Sequence, residues 1–203
     1  MLGPYEFGKA YLGDCVDLMK DIPTGSVHMI CTDAPYGSGN SHMRAGNIIE
    51  DTKIANDDPE LWRDLMPKVL AESARILDPK ESAFLTFAEG GGPSRMSNRL
   101  SDWIASYLEY DTCLVWSKGI PGLGFYYRRS HEFIFVGHRK GTKLRWFNTT
   151  GDVRTVINIT RIVNPESGDH PTPKPVALME HLIRNHTKRG DIVLDPLCGG
   201  GAT

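Results

Sequence analysis

The apolar residues of this 203-residue chain follow two rhythms. Short unbroken runs end abruptly in Asp, Pro or Gly, and between them longer stretches repeat at helical spacing. Val27-His28-Met29-Ile30-Cys31, Ala83-Phe84-Leu85-Thr86-Phe87 and Asp191-Ile192-Val193-Leu194-Asp195 have the length and character of buried strands. Residues 9–12 predict a shorter strand, after which Gly13-Asp14 opens a helix through Val16, Leu18 and Met19. Asp58-Pro59 is a cap followed by proline at the first helical position. Leu61, Leu65, Val69, Leu70 and Ile76 then share one side of a helix running toward Leu77 and bent at Pro67. Pro93 opens another, with Met96, Leu100, Trp103, Ile104, Tyr107 and Leu108 recurring at helical spacing. Val176, Met179, Leu182, Ile183 and His186 mark a third over residues 176–187, with Gly190 as its stop. These elements predict an α/β fold.

Two places break the alternation. Strands at 112–116 and 131–136 are joined by a loop rich in Gly and aromatics, which predicts an antiparallel hairpin. Residues 38–58 show no period, and a loop that long reads as a mobile segment beside an active site. The triple glycine at 90–92 reads as a strand-to-helix turn.

Composition narrows the class. With 40% apolar and 24% charged residues the chain has ordinary globular composition. No apolar run approaches the roughly 18–20 residues that cross a bilayer, and the first residues lack a signal peptide's regions, so a cytoplasmic protein without membrane contact is expected. Cys15, Cys31, Cys113 and Cys198 are scattered without metal-ligand spacing, and none follows a proline. No metal and no covalent cysteine adduct are expected. Residues 111–161 carry nine basic against three acidic residues, a net of +6, which leaves −8 for the rest of a chain of net charge −2. Such a segment is either a phosphate-contacting surface or a solvated basic face. Within or beside it Arg128, Arg129, Lys143, Arg145 and Arg154 are the candidate DNA contacts, and Phe125, Tyr126 and Tyr127 either face DNA or pack in the hairpin.

The candidate chemistry lies at Asp33-Ala34-Pro35-Tyr36, directly after the first buried run. A carboxylate at the carboxyl end of a strand sits where α/β sheets bind ligands; the bland alternative is an Asp that caps a turn. The stretch resembles the D-P-P-Y signature of the DNA amino-methyltransferases. Trp116-Ser117-Lys118 followed by Tyr127-Arg128-Arg129-Ser130-His131-Glu132 resembles that family's hairpin signature. His170-Pro171-Thr172-Pro173-Lys174-Pro175, then Asp195-Pro196-Leu197-Cys198-Gly199-Gly200-Gly201-Ala202-Thr203, resembles its paired cofactor motifs, H-x-T-x-K-P and D-P-F-x-G-x-G-T. The order matches the circularly permuted beta subgroup.

The resemblance implies a Rossmann-like S-adenosylmethionine-dependent sheet with an antiparallel hairpin. It divides the chain into a catalytic core at 1–140, a small target-recognition segment at 141–169 and a cofactor part at 170–203. It implies catalysis by Asp33, Ala34, Pro35 and Tyr36, and cofactor contacts from Asp14, His170, Thr172, Lys174, Asp195, Leu197, Gly199 and Gly201. Asp14 can be helix cap and ligand together. The implied partner is double-stranded DNA with its target base flipped out, in a bacterial or phage-infected cell, with a homodimer as a candidate assembly and restriction-modification as a setting. Asp in the first catalytic position implies adenine-N6 methylation; cytosine-N4 methylation, a noncatalytic DNA-binding remnant and RNA methylation are the rivals. Ala34 replaces the family's second proline, keeping the carbonyl acceptor and loosening the turn. In relatives the glycine turn leads into a further helix and strand, so a sheet incomplete at the C-terminus, lacking a strand between its first and third positions, is expected.

Overall fold

A computed structural model describes residues 1–37, 43–44, 47–48, 58–89, 96–122, 126–162, 173–199, 201 and 203. Its elements are α1 (Cys15–Lys20), β1 (Met29–Thr32), β2 (Met43–Arg44), β3 (Asn47–Ile48), α2 (Pro59–Ile76), β4 (Glu81–Glu89), α3 (Met96–Tyr107), β5 (Glu109–Ser117), β6 (His131–His138), β7 (Lys143–Leu144), β8 (Val156–Asn158), α4 (Val176–His186) and β9 (Val193–Leu194). The main sheet runs β8-β5-β6-β4-β1-β9, with β7 on the start of β4. β1 is parallel to β4 and β9, and β5 is parallel to β8. β6 is antiparallel to β4 and β5. Strand ends of one polarity therefore share one edge.

Alternate residues of the central strands feed two cores. Ile30, Phe84 and Phe135 pack with Met19, Trp62, Met66, Leu70 and Ile104 of α1 to α3. Met29, Cys31, Leu85, Phe87 and Ile134 pack on the other face with Leu178, Met179 and Leu182 of α4. This burial on both faces explains the unbroken apolar runs. Asp58 caps α2 by accepting from the Glu60 and Leu61 N–H groups at 2.8 and 3.2 Å, and the helix runs through Pro67.

Several expectations need correction. Residues 9–12 form no strand, and Leu12 lies in solvent; four residues without a pairing neighbour cannot hold one. The buried side of α2 is Trp62, Met66, Val69, Leu70, Ser73 and Ile76, a cleaner helical spacing than the one expected, and it turns Leu61 outward. In α4 Leu178 takes the buried place expected of Val176, which is exposed. β9 pairs with β1 and is an edge strand of the main sheet. Pro93, the triple glycine and most of the 38–58 loop fall outside the described residues. Among the described residues no helix is long and apolar enough to cross a membrane.

The amino edge of the sheet is tied by Arg145, just after β7. Its guanidinium donates to Asp191 at 2.7 Å and to Glu81 at 2.6 Å, and its carbonyl accepts from His186 Nδ1 at 2.7 Å. The side chains of Arg145 and Asp191 are each 5% exposed. Burial opposes ionisation of Asp191, but the hydrogen bonds from Arg145 outweigh it and hold the carboxyl below its ordinary 3.8. Its contribution is therefore present above that value and lost as pH falls through the lower folded one. Arg145→Ala should destabilise the protein by about 3–5 kcal/mol in urea unfolding at pH 7 by leaving a buried carboxylate unpaired. The difference from the parent should shrink as pH falls, because protonation of Asp191 relieves the variant.

Candidate active site

The chain leaves β1 at Thr32 and turns at once through Asp33, Ala34, Pro35, Tyr36 and Gly37. Gly37 has φ of 61°, and a Cβ there would stand 2.9 Å from Trp62 Cγ. Only glycine fits, so the first turn of α2 presses against the turn. Ala34 is buried beneath it.

Two groups converge on Asp33. Lys174, immediately before Pro175 and α4, places Nζ 2.5 Å from Asp33 Oδ2 and 3.5 Å from Glu132 Oε2. The Tyr36 hydroxyl lies 2.9 Å from Asp33 Oδ1 and 3.0 Å from Glu132 Oε2, so its one proton serves two acceptors. Lys118 closes the group by pairing with Glu132 Oε1. The Lys174 ammonium also lies over the rings of Tyr36 and Phe87, at 5.5 and 5.2 Å. Lys174 is only 6% exposed. Burial alone would push its pKa down, but Asp33 and then Glu132 raise it above the ordinary 10.5. Burial likewise opposes the charge of Glu132, and Lys174 and then Lys118 overcome it to hold the carboxyl below 4.5. Burial, then Asp33 and Glu132, raise the Tyr36 phenol well above its usual value. At neutral pH Lys174 is therefore an ammonium, Glu132 a carboxylate and Tyr36 a neutral phenol.

The glycine turn lies beside this group. Continuing the parallel register of Met29 with Val193 and Ile30 with Leu194 brings Asp195 alongside Cys31. The Cys31 thiol is pushed up by burial, then by Asp195 and Asp33, so both carboxylates lie at one edge. Asp195 accepts from the Leu197 N–H at 3.1 Å and from Thr203. Burial raises its pKa above the ordinary 3.8 despite those bonds. Gly199 and Gly201 have φ of 47° and 74°, and a Cβ at Gly201 would meet nothing within 4 Å among the described residues. An open turn of this kind after a strand suits the close approach of a nucleoside-like ligand. Leu197 packs against the core. Asp14 accepts from the Val16 and Asp17 N–H groups as the cap of α1. His170 and Thr172 lie outside the described residues.

The basic candidates separate. Arg129 pairs with Glu89 at the end of β4, and Arg128 Nε donates to the Gly122 carbonyl at 2.8 Å; both belong to the carboxyl edge. Arg154 is exposed ahead of β8. Lys143 and Arg145 lie apart from these, beside Glu81 and Ser82, at the opposite end of nine-residue β4, about 26 Å away at 3.3 Å per residue. Arg145 is buried in its ion pairs and cannot reach a phosphate. The roles of Glu132 and Lys118 were missed, as was Lys174's contact with Asp33. A carboxylate heading the apolar run His131-Glu132-Phe133-Ile134 was the signal available.

A family model described as DNA methylase, N6_N4_Mtase, matches residues 27–203. The type II methyltransferase M2.MboI of Moraxella bovis is 24% identical, over 95% of this chain and 76% of that protein. The DNA adenine methyltransferase YhdJ of Escherichia coli K12 is 26% identical, over 94% and 71%. The solved structure of M1.HpyAVI in complex with SAM superposes with a TM-score of 0.65 at 20% identity, covering 95% of this chain and 83% of that one. The cytosine-N4-specific PvuII DNA methyltransferase does so with 0.68 at 15%, covering 91% and 72%. The likeness to these two structures is one of fold. The chain belongs to the N6_N4_Mtase family of DNA methylases.

The cluster makes a signed prediction for stability. The raised pKa of Lys174 gives a contribution fully present below 10.5, and the lowered one of Glu132 a contribution present above 4.5 and lost on acidification. Lys174→Met should cost about 3–5 kcal/mol at pH 7, because Asp33 and Glu132 then face each other without their shared cation. The loss should be smaller at pH 5, where burial favours a proton on Glu132, whereas the parent should show no gain on the same acidification. Urea unfolding at the two pH values reads both.

Proposed function

We propose that this chain methylates the exocyclic N6 amine of adenine in double-stranded DNA. The observation that carries the reading is Asp33, at the carboxyl edge, held in place by Lys174 and Tyr36. The lone pair of a base amine is delocalised into its ring, so the amine is a poor nucleophile. Asp33 Oδ and the Ala34 carbonyl supply acceptors for its two hydrogens, localising the pair on nitrogen. Lys174 and Tyr36 fix the carboxylate's orientation in advance, so little reorganisation accompanies the reaction. The Tyr36 ring is the wall on which the flipped base stacks, and flipping costs a few kcal/mol. After transfer the nitrogen holds one hydrogen in excess, and Asp33 is placed to take it.

S-adenosylmethionine, when bound, supplies an electrophilic sulfonium methyl group. The open glycine turn at Gly199 and Gly201, beside Asp195, fits such a nucleoside-bearing group, with Asp14, Leu197, His170 and Thr172 as its further contacts. Lys174 joins its motif to the acceptor carboxylate. Adenine is favoured over cytosine by Asp in the first catalytic position and by the relative named as a DNA adenine methyltransferase. Arg128, Arg129 and Arg154 are the proposed DNA contacts.

Incubation with labelled S-adenosylmethionine and unmethylated duplex DNA, followed by digestion and mass spectrometry, should give labelled N6-methyladenine. Asp33→Ala should lower the rate by roughly 10²–10³-fold while cofactor binding persists. Labelled N4-methylcytosine would replace the adenine reading with the cytosine one. DNA binding without cofactor binding or transfer would leave a noncatalytic DNA-binding protein.

A further inference from the structure

The connection between β5 and β6 is braced more firmly than its length requires. Beyond the last strand pair, Ser117 with His131, the Lys118 N–H donates to the Ser130 carbonyl at 2.8 Å and the Gly122 N–H to the Arg129 carbonyl at 2.7 Å. Arg128 holds the Gly122 carbonyl, Arg129 holds Glu89, and Lys118 holds Glu132. The Arg161 N–H donates to the Lys118 carbonyl at 3.1 Å, which sets another exposed cation beside the base of the hairpin.

On this support Tyr126 and Tyr127 stand 100% and 101% exposed. Tyr126 has φ of 58°, the one positive value among the described non-glycine residues. That conformation costs a non-glycine residue roughly 1–2 kcal/mol. Two aromatic side chains held wholly in water repay none of that cost by burial in this chain. Strain of this sort is kept where a partner uses it.

Resting on the reading of the chain as a methylase of duplex DNA, we propose that Tyr126, with Tyr127 beside it, enters the base stack at the target and fills the space left by the extruded base. Glu132 lies six positions after Tyr126, so the chain between them spans at most about 21 Å. That reach exceeds the depth of either groove, about 7.5–8.5 Å, while Glu132 stays beside Tyr36 in the catalytic cluster. The inserted ring restores stacking worth about 1–3 kcal/mol against an unstacking cost of similar size. Arg128, Arg129 and Arg161 give the flanks the charge that phosphates attract. Tyr126 in this role is a positioning residue: it holds the base out and touches neither reacting atom.

The test compares the parent with Tyr126→Ala and Tyr126→Phe on two duplexes carrying the parent's mapped target, one fully paired and one with an abasic site opposite the target base. Tyr126→Ala should lose about 10–100-fold in methylation of the paired duplex and return to within a few-fold of the parent on the abasic one, whose base is already loosened. Tyr126→Phe should match the parent on both, and cofactor affinity should be the same in all three. With 2-aminopurine at the target, Tyr126→Ala should show a smaller fluorescence rise on binding. Equal losses on the two duplexes, or no loss on the paired one, overturn the proposal while leaving the methylase reading intact. A parent that methylates neither duplex overturns both.

Discussion

One ammonium holds the chemical edge of this protein together. Lys174 sits between Asp33 and Glu132, 6% exposed, and each carboxylate would be costly to bury without it. Its position also fixes a helix. Pro175, the N-cap of α4, makes no side-chain capping hydrogen bond, so the ion pairs one residue earlier anchor the start of α4. Through the same contacts β1, β6 and α4 meet at a point, with the Tyr36 hydroxyl as crosspiece. Removing any one partner changes the charge state that suits the others.

The two edges of the sheet divide the work. At the amino edge Arg145 ties β4 and the approach to β9 by ion pairs, and the end of α4 by a hydrogen bond to its carbonyl. At the carboxyl edge the pairs are open to the reaction. Glu89 and Glu132 face each other across β4 and β6, and like charges in that relation repel. Arg129 answers one, while Lys118 and Lys174 answer the other. Hairpin and catalytic turn thus share one charge balance.

Much of this was legible in the chain. Strands buried on both faces leave unbroken apolar runs, and β1, β4 and the neighbourhood of β9 were visible for that reason. Asp58 before Pro59 located the start of α2 because capping is a local interaction. What failed was non-local. Residues 9–12 have the composition of a strand, but composition supplies no neighbour to pair with. Arg145 was counted with a basic surface because a charge tally cannot see Asp191, 46 residues on. Glu132 and Lys118 stood in a recognisable signature, yet only the fold shows that Glu132 lies between Lys118 and Lys174. Tyr126 was visible as an aromatic near cations; its left-handed backbone was not.

The distance along the chain between Asp33 and Lys174 has a consequence in time. The pair spans 141 residues, and ribosomes add about 5–20 residues per second. Some 7–28 seconds therefore pass between the synthesis of the acceptor and that of its counter-ion. During that interval the nascent β1 and β4 can pair, but Asp33 lacks the cation that stabilises it. Closing so long a loop is slow. The newborn chain is thus obliged to finish its scaffold before it possesses a working centre.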